Sequence, residues 1–151
     1  MYSRGKKKQH TIKNILICDE SRRLLYLSTT FEGSVHDKAI ADACAYLFPP
    51  MSTVYQDRGF QGYTNDNVML YQPKKKPKNG TLTDEEKAEN TRISRIRIII
   101  EHVIRSVKRY RIVAEKIRIH CGDIRDRVMQ VCCGLHNFLN TQRKLNRNNK
   151  A

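Results

Sequence analysis

The chain has 151 residues, enough for one domain with a packed core, and 39% of them are hydrophobic. Its 29 Lys and Arg against 15 Asp and Glu give a formal charge of +14, more than solubility requires, so a polyanion is the expected partner and nucleic acid leads. No apolar run approaches the roughly 20 residues of a membrane-spanning helix and none follows the basic N-terminus, which argues against a membrane or secretory role and points to the cytoplasm.

Residues 1–10, MYSRGKKKQH, place Lys6, Lys7 and Lys8 in a row; a solvated terminus and a phosphate-contacting segment are equally open readings. TIKNILIC (11–18) and LLYLSTT (24–30) are rich in β-formers and flank the polar DESRR (19–23), which predicts an antiparallel hairpin. FEGSVHD (31–37) reads as a loop ending in a helix start, with Ser34 or Asp37 capping a helix over 38–47 that Phe48-Pro49-Pro50 stops. TVYQ (53–56) is a short strand that runs into Asp57-Arg58-Gly59-Phe60-Gln61-Gly62. An acid at a strand end, followed by glycines that permit a tight turn, is how an α/β sheet presents a catalytic carboxylate. A plain Asx turn uses the same residue types. NVMLYQ (67–72) is a further strand, and PKKKPKNG (73–80), with Lys74, Lys75 and Lys76, is a basic loop expected to face the polyanion.

Thr83-Asp84-Glu85-Glu86 has the spacing of a capping box, so a helix begins near residue 83, with a break expected around Asn90. From Asn90 to Lys108 the chain is amphipathic. At about 100° per residue, Ile93, Ile96, Ile100, Val103, Ile104 and Val107 share one arc, and Ser94, Arg97, Glu101, Arg105 and Lys108 the adjacent one. Glu101 at the border of the buried stripe has two readings. It is a rung of an ordinary i, i+4 ion-pair ladder with Arg97 and Arg105, or a carboxylate held by packing with its oxygens facing a cleft, as a metal ligand or general base must be. IVAEKIRIH (112–120) reads as a short strand or extended linker. A last helix is predicted over 124–142 with Val128, Val131, Cys132, Leu135, Phe138 and Leu139 as its apolar stripe, followed by a basic disordered tail over 143–151. Cysteines 18, 44, 121, 132 and 133 show no CxxC pairing and read as reduced, mostly buried side chains. His136 follows Cys132 and Cys133 without the second Cys/His pair that a zinc site needs.

The order of elements predicts an α/β fold in which two acids distant in sequence, Asp57 at a strand end and Glu101 on a helix, converge on a divalent metal. Oxygen ligands suit Mg²⁺ or Mn²⁺, and the surrounding cations suit a DNA backbone. YSRGKKKQHTIK (2–13), GSVHDK (33–38), DRGFQGY (57–63), the N-x-x-x-S-x-x-R-x-x-x-E-x-x-x-x-x-x-K pattern from Asn90 to Lys108, and CCGLHNFL (132–139) occur in this order. In that order they resemble the DDE transposases of the ribonuclease H-like superfamily, in particular those of bacterial insertion sequences and the Harbinger-type endonucleases.

The resemblance implies a ribonuclease H-like mixed sheet flanked by helices over 1–142, incomplete because the first central strand and the acid it carries lie upstream of the segment where this sequence begins. It implies Asp57 and Glu101 as the second and third catalytic, metal-binding acids, and Mg²⁺ or Mn²⁺ as cofactor. Arg97 and Lys108 match the basic residues accompanying the Glu; Arg105, Lys6, Lys7, Lys8, Lys74, Lys75 and Lys76 are further candidates for DNA contact, and His36 and Asp37 for support of the site. Ser94 stands where many relatives carry Tyr. The implied activity is metal-dependent DNA strand cleavage and strand transfer by the intact protein, with this chain incomplete or inactive alone. The implied partners are element-end and target DNA, the upstream part of the same transposase and, left open, a second copy; nucleoid association would follow in a bacterium. A non-catalytic basic DNA-binding protein derived from a transposable element is the alternative, and RNA binding a weaker third.

Overall fold

The computed structural model describes residues 11–44, 46–114 and 122–149. Its first strands are short and antiparallel: β1 (Ile12–Lys13) pairs with β4 (Phe31–Glu32), and β2 (Leu16–Cys18) with β3 (Leu24–Leu27). The turn between β2 and β3 is closed by Asp19, whose carboxylate accepts from the Arg23 N–H at 2.9 Å and whose carbonyl accepts from the Arg22 N–H at 3.0 Å. Arg22 takes a φ of 66°, a left-handed backbone that a non-glycine residue adopts only when its surroundings hold it there. The β1–β4 pair relies on a close approach instead. Gly33 donates its N–H to the Thr11 carbonyl at 2.7 Å, and a Cβ on it would lie 2.8 Å from that same oxygen, which explains a glycine at the head of GSVHDK.

Helix α1 covers Asp37–Ala43 and ends at Cys44, before the Phe-Pro-Pro stop. It has no side-chain cap: His36 holds the cap position without a capping hydrogen bond, and Asp37 sends its carboxylate to Lys13 instead of to a helix N–H. The expectation of a Ser34 or Asp37 cap is therefore corrected, and a distant cation has won over a local turn. β5 (Ser52–Tyr55) and β6 (Val68–Tyr71) pair in parallel, in the register Ser52 to Val68 through Tyr55 to Tyr71. A crossover of about a dozen residues is what a parallel pair requires, and here it contains a single 3₁₀ turn at Arg58–Phe60.

Helix α2 runs unbroken over Asp84–Lys108, about 37 Å at 1.5 Å per residue. No break occurs at Asn90, because nothing there lacks a helical N–H or clashes with the preceding turn. The capping box forms as read, with Thr83 and Glu86 each accepting from the other's backbone N–H. α2 packs against β2, β5, the short α3 (Arg111–Ala114) and α4 (Gly122–Asn148). The Ile112 region, expected as strand or linker, is thus helical through 114, and 115–121 lie outside the described residues. α4 continues past Gln142 to Asn148, so residues 143–148 are helical where a disordered tail was expected. No Gly or Pro interrupts TQRKLNRN, and its residues include good helix formers.

The core comprises Leu24, Val103, Val107, Met129, Cys132 and Cys133, surrounded by Leu16, Cys18, Leu27, Ile100, Tyr110, Val113 and Val128. The buried stripe of α2 is the predicted one, with Ile93, Val103 and Val107 fully covered. α4 is turned from its predicted face: Met129, Cys132, Cys133 and His136 are inside, while Val131 and Phe138 remain 61% and 60% exposed. The reason is polar. His136 Nε2 lies 2.8 Å from the Arg22 carbonyl, and Asn137 accepts from the Leu24 N–H at 2.8 Å and donates to the Leu24 carbonyl at 2.9 Å. Asn140 donates to the Ser21 carbonyl at 2.8 Å. Backbone groups that would be buried without partners set the rotation of the helix, at the expense of part of its apolar arc.

The strands form three separate two-stranded pairs, not one continuous sheet, and no ladder joins β2 to β5 among the described residues. The architecture is mixed α/β with small sheets covered by helices. No helix in the described residues is long and apolar enough to cross a membrane. Burial pushes the thiols of Cys18 and Cys133 up to about 11, helped by the charge of Asp19 in the first case and by Cys132 in the second. Both are then protonated at neutral pH. Iodoacetamide is expected to alkylate them in denaturant but not in the native protein, as read by peptide mass spectrometry; native labelling of either would show that the α2–α4 core opens readily.

Candidate functional site

Asp57 lies two residues beyond the end of β5. Its carboxylate accepts from the Arg58 N–H at 2.7 Å, capping the 3₁₀ turn, and its carbonyl accepts from Gln72 Nε2 at 3.1 Å. The strand end is also tied to β6 through the Gln56 N–H, which donates to the Tyr71 carbonyl at 3.0 Å. The Asx turn and the candidate acid are therefore one and the same residue: one carboxylate oxygen closes the turn, and the other is directed at α2. There Arg97 Nη2 lies 3.1 Å from Asp57 Oδ2 and 4.0 Å from Glu101 Oε1.

One guanidinium nitrogen thus gathers two acids from different elements. The side chain of Arg97 is only 20% exposed, whereas those of Asp57 and Glu101 are 55% and 59% exposed. Ion pairs so open to water contribute about 0–1 kcal/mol to stability, so the fold does not depend on them. The simple ladder reading of Glu101 is weakened in one respect: Arg97 approaches Asp57 more closely than it approaches Glu101, and no salt bridge joins Glu101 to Arg105 among the described residues.

Behind this pair stands Asp37. Lys13 Nζ donates to Asp37 Oδ1 and to the Val35 carbonyl, both at 3.1 Å, and the Asp37 side chain lies directly against Gly59, where an added Cβ would come 3.1 Å from Asp37 Cγ and 3.3 Å from its Cβ. α1 packs on the 3₁₀ turn through this contact. His36 is exposed and forms no side-chain hydrogen bond of its own among the described residues.

The basic loop is anchored at its first lysine. Asn90 accepts from the Lys74 N–H at 2.8 Å and donates to the Lys74 carbonyl at 3.0 Å, and Lys74 Nζ pairs with Glu86 at 3.1 Å. Glu86 is held below the usual carboxylate range by the Thr83 N–H first and by Lys74 second. Lys75 and Lys76 project into solvent. A cavity of about 500 Å³ lies between this loop and Arg58.

The sequence model of the family described as DDE superfamily endonuclease matches residues 1–137. The chain belongs to this family. It is also similar to the probable transposase for insertion sequence element IS702 of Microchaete diplosiphon, with 31% identity over 114 residues that cover 76% of this chain and 41% of the relative. It therefore spans about two-fifths of that relative's length. No solved structure matches.

Within this DDE-superfamily chain, the structure brings together Asp57, Arg97 and Glu101, and places Arg105 and Lys108 one and two turns further along the same line of α2. Lys74 and Lys75 line the cavity that Arg58 borders, and Lys6–Lys8 lie outside the described residues. Asp57 and Glu101 supply oxygen donors of the kind Mg²⁺ or Mn²⁺ takes, and both are open to water that would complete its coordination. Among the described residues no third His, Cys, Asp or Glu joins them in a metal-binding group. Lys13 and Gln72 support the site through Asp37 and the Asp57 carbonyl without having been named as site residues in the sequence, although Lys13 lies in the YSRGKKKQHTIK motif. Asn90, the first residue of the helix pattern, holds the basic loop.

Proposed function

We propose that this chain supplies Asp57 and Glu101 as two acids of a metal-dependent DNA strand-cleavage and strand-transfer site on a ribonuclease H-like scaffold. The observation that carries the reading is the meeting of a strand-end Asp and a helical Glu, distant in sequence, at one nitrogen of Arg97. A Mg²⁺ or Mn²⁺ ion held by the two carboxylates would stabilise charge on the scissile phosphate and lower the pKa of an attacking water. Asp57 and Glu101 would be the ligands, Asp37 and Gly59 set the position of the turn that carries Asp57, and Arg97 holds the two like charges together. β2 and β5 both pack on α2 with no ladder joining them among the described residues, an arrangement that leaves room in the proposal for a further strand carrying the remaining acid, supplied by another part of the intact protein. DNA is the partner that the charge of +14 favours.

The test uses the chain joined to that upstream part. Asp57→Asn and Glu101→Gln are each expected to lower Mg²⁺-dependent nicking of supercoiled plasmid by more than about 100-fold, since even residues that merely orient metal ligands are worth 10–100-fold. Metal-free DNA binding should persist in both. Undiminished nicking by the two variants would sink the assignment and leave a basic DNA-binding protein as the better description.

A further inference from the structure

Beyond the acids, α2 and α4 enclose an open trough of about 910 Å³. Arg105, Lys108 and Arg109 line it from α2, and Arg143, Lys144 and Arg147 from α4. All six are exposed, and none forms a salt bridge among the described residues. Lys144 feels the charge of Asp19 at a distance, and Glu20 is the one acid in the trough wall. Lys13, Lys38, Lys74, Lys87, Arg92 and Arg97 each have an acidic partner, whereas the trough gathers six cations that form no salt bridge among the described residues. Cations drawn together without counter-charges repel one another, and that repulsion is relieved when a polyanion enters.

The trough has no Phe, Tyr or Trp in its wall, and of its two histidines His136 is buried against the Arg22 carbonyl, so it offers little of the stacking platform that single-stranded nucleic acid uses. It also lacks the broad apolar face with which an interfacial helix enters a membrane. Residues four apart on a helix are about 6 Å apart along its axis, and a DNA strand presents a phosphate every 3.4 Å of its own axis. Each cation pair, Arg105 with Arg109 and Arg143 with Arg147, therefore spans about two phosphate steps of one strand. Arg105 stands one turn beyond Glu101, so the trough begins where the candidate acids end.

We infer that the trough between α2 and α4 is a second DNA-binding surface, which grips the phosphate backbone of duplex DNA flanking the point of cleavage. The site rests on the proposed function for its place beside the acids, but its binding is metal-independent and is measured without cleavage.

The experiment titrates the full chain with a fluorescently labelled random-sequence DNA duplex at a series of salt concentrations and without divalent metal. The double variant Arg143→Ala/Arg147→Ala is expected to weaken binding at low salt and to make the slope of log K against log salt shallower by about 2, close to one unit per phosphate contact removed. Arg143→Lys/Arg147→Lys should restore the slope, which a merely structural role of the arginines would not predict. Lys38→Ala/Lys87→Ala removes equal charge outside the trough and should leave the slope nearly unchanged. An unaltered slope in the first variant, an equal fall in the control, preference for single-stranded RNA, or no duplex binding by the parent chain would each overturn the inference. Asp57→Asn separates the two readings: nicking lost with the slope intact supports both, whereas nicking kept with the slope intact removes the catalytic assignment and leaves the trough standing.

Discussion

Asn137→Ala is expected to destabilise the chain by about 2–4 kcal/mol, because it strips two partners at once from the backbone of buried Leu24. The Leu24 N–H and C=O both end on the Asn137 amide, and alanine leaves each without an acceptor or donor in a part of the core that water reaches poorly. Asn137→Asp is the informative companion. A carboxylate still accepts from the N–H but faces the Leu24 carbonyl with like charge, so it should recover less than half of the loss. Asn140→Ala, which removes one bond to the more open Ser21 carbonyl, is expected to cost only about 0.5–1.5 kcal/mol. Chemical denaturation of the three variants checks the order. Equal stability of Asn137→Ala and the parent would mean that α4 does not clamp the β2–β3 hairpin.

Gly59→Ala is expected to act on the site from behind. Its new methyl group would press on Asp37, and the carboxylate cannot swing away freely because its other oxygen is bound to Lys13. Either the 3₁₀ turn or the α1 terminus must shift, at about 1–3 kcal/mol for an overpacked contact. Asp57 begins that turn, and a displacement of about 1 Å in a reacting group can cost on the order of 100-fold in rate. The prediction is therefore a large loss of nicking by the protein joined to its upstream part, with smaller damage to stability. A double-mutant cycle makes it specific. In an Asp37→Ala background the same Gly59→Ala change should do much less, because the obstructing carboxylate has gone. Purely additive effects would show that the two residues do not press on each other.

What could be read from the residues alone follows the range of the forces involved. Local rules succeeded where nothing distant competed: the Thr83–Glu86 capping box, the buried stripe of Ile93, Val103 and Val107, and the strand that delivers Asp57 are all in place. They failed where a remote partner prevailed. Asp37 left its own helix for Lys13, and α4 turned Val131 and Phe138 outward so that His136, Asn137 and Asn140 could reach the hairpin. Periodicity counts apolar side chains and does not count unpaired carbonyls. For the candidate site, the sequence named two acids and their order. The grip of Arg97 on both was not legible, since a four-residue spacing predicts its pairing with Glu101 and says nothing of Asp57.

Asn90 bears on how the basic loop would meet the DNA of the proposed function. A free loop that orders on its ligand loses roughly 1–2 kcal/mol of backbone entropy per residue fixed. By clasping Lys74 at both its N–H and its carbonyl, with Glu86 on the side chain, α2 has frozen the root of that loop before any ligand arrives. The lysines beyond it are thus tethered to α2 at Lys74, and in the proposed function the entropic charge for binding would fall only on the loop residues past that anchor.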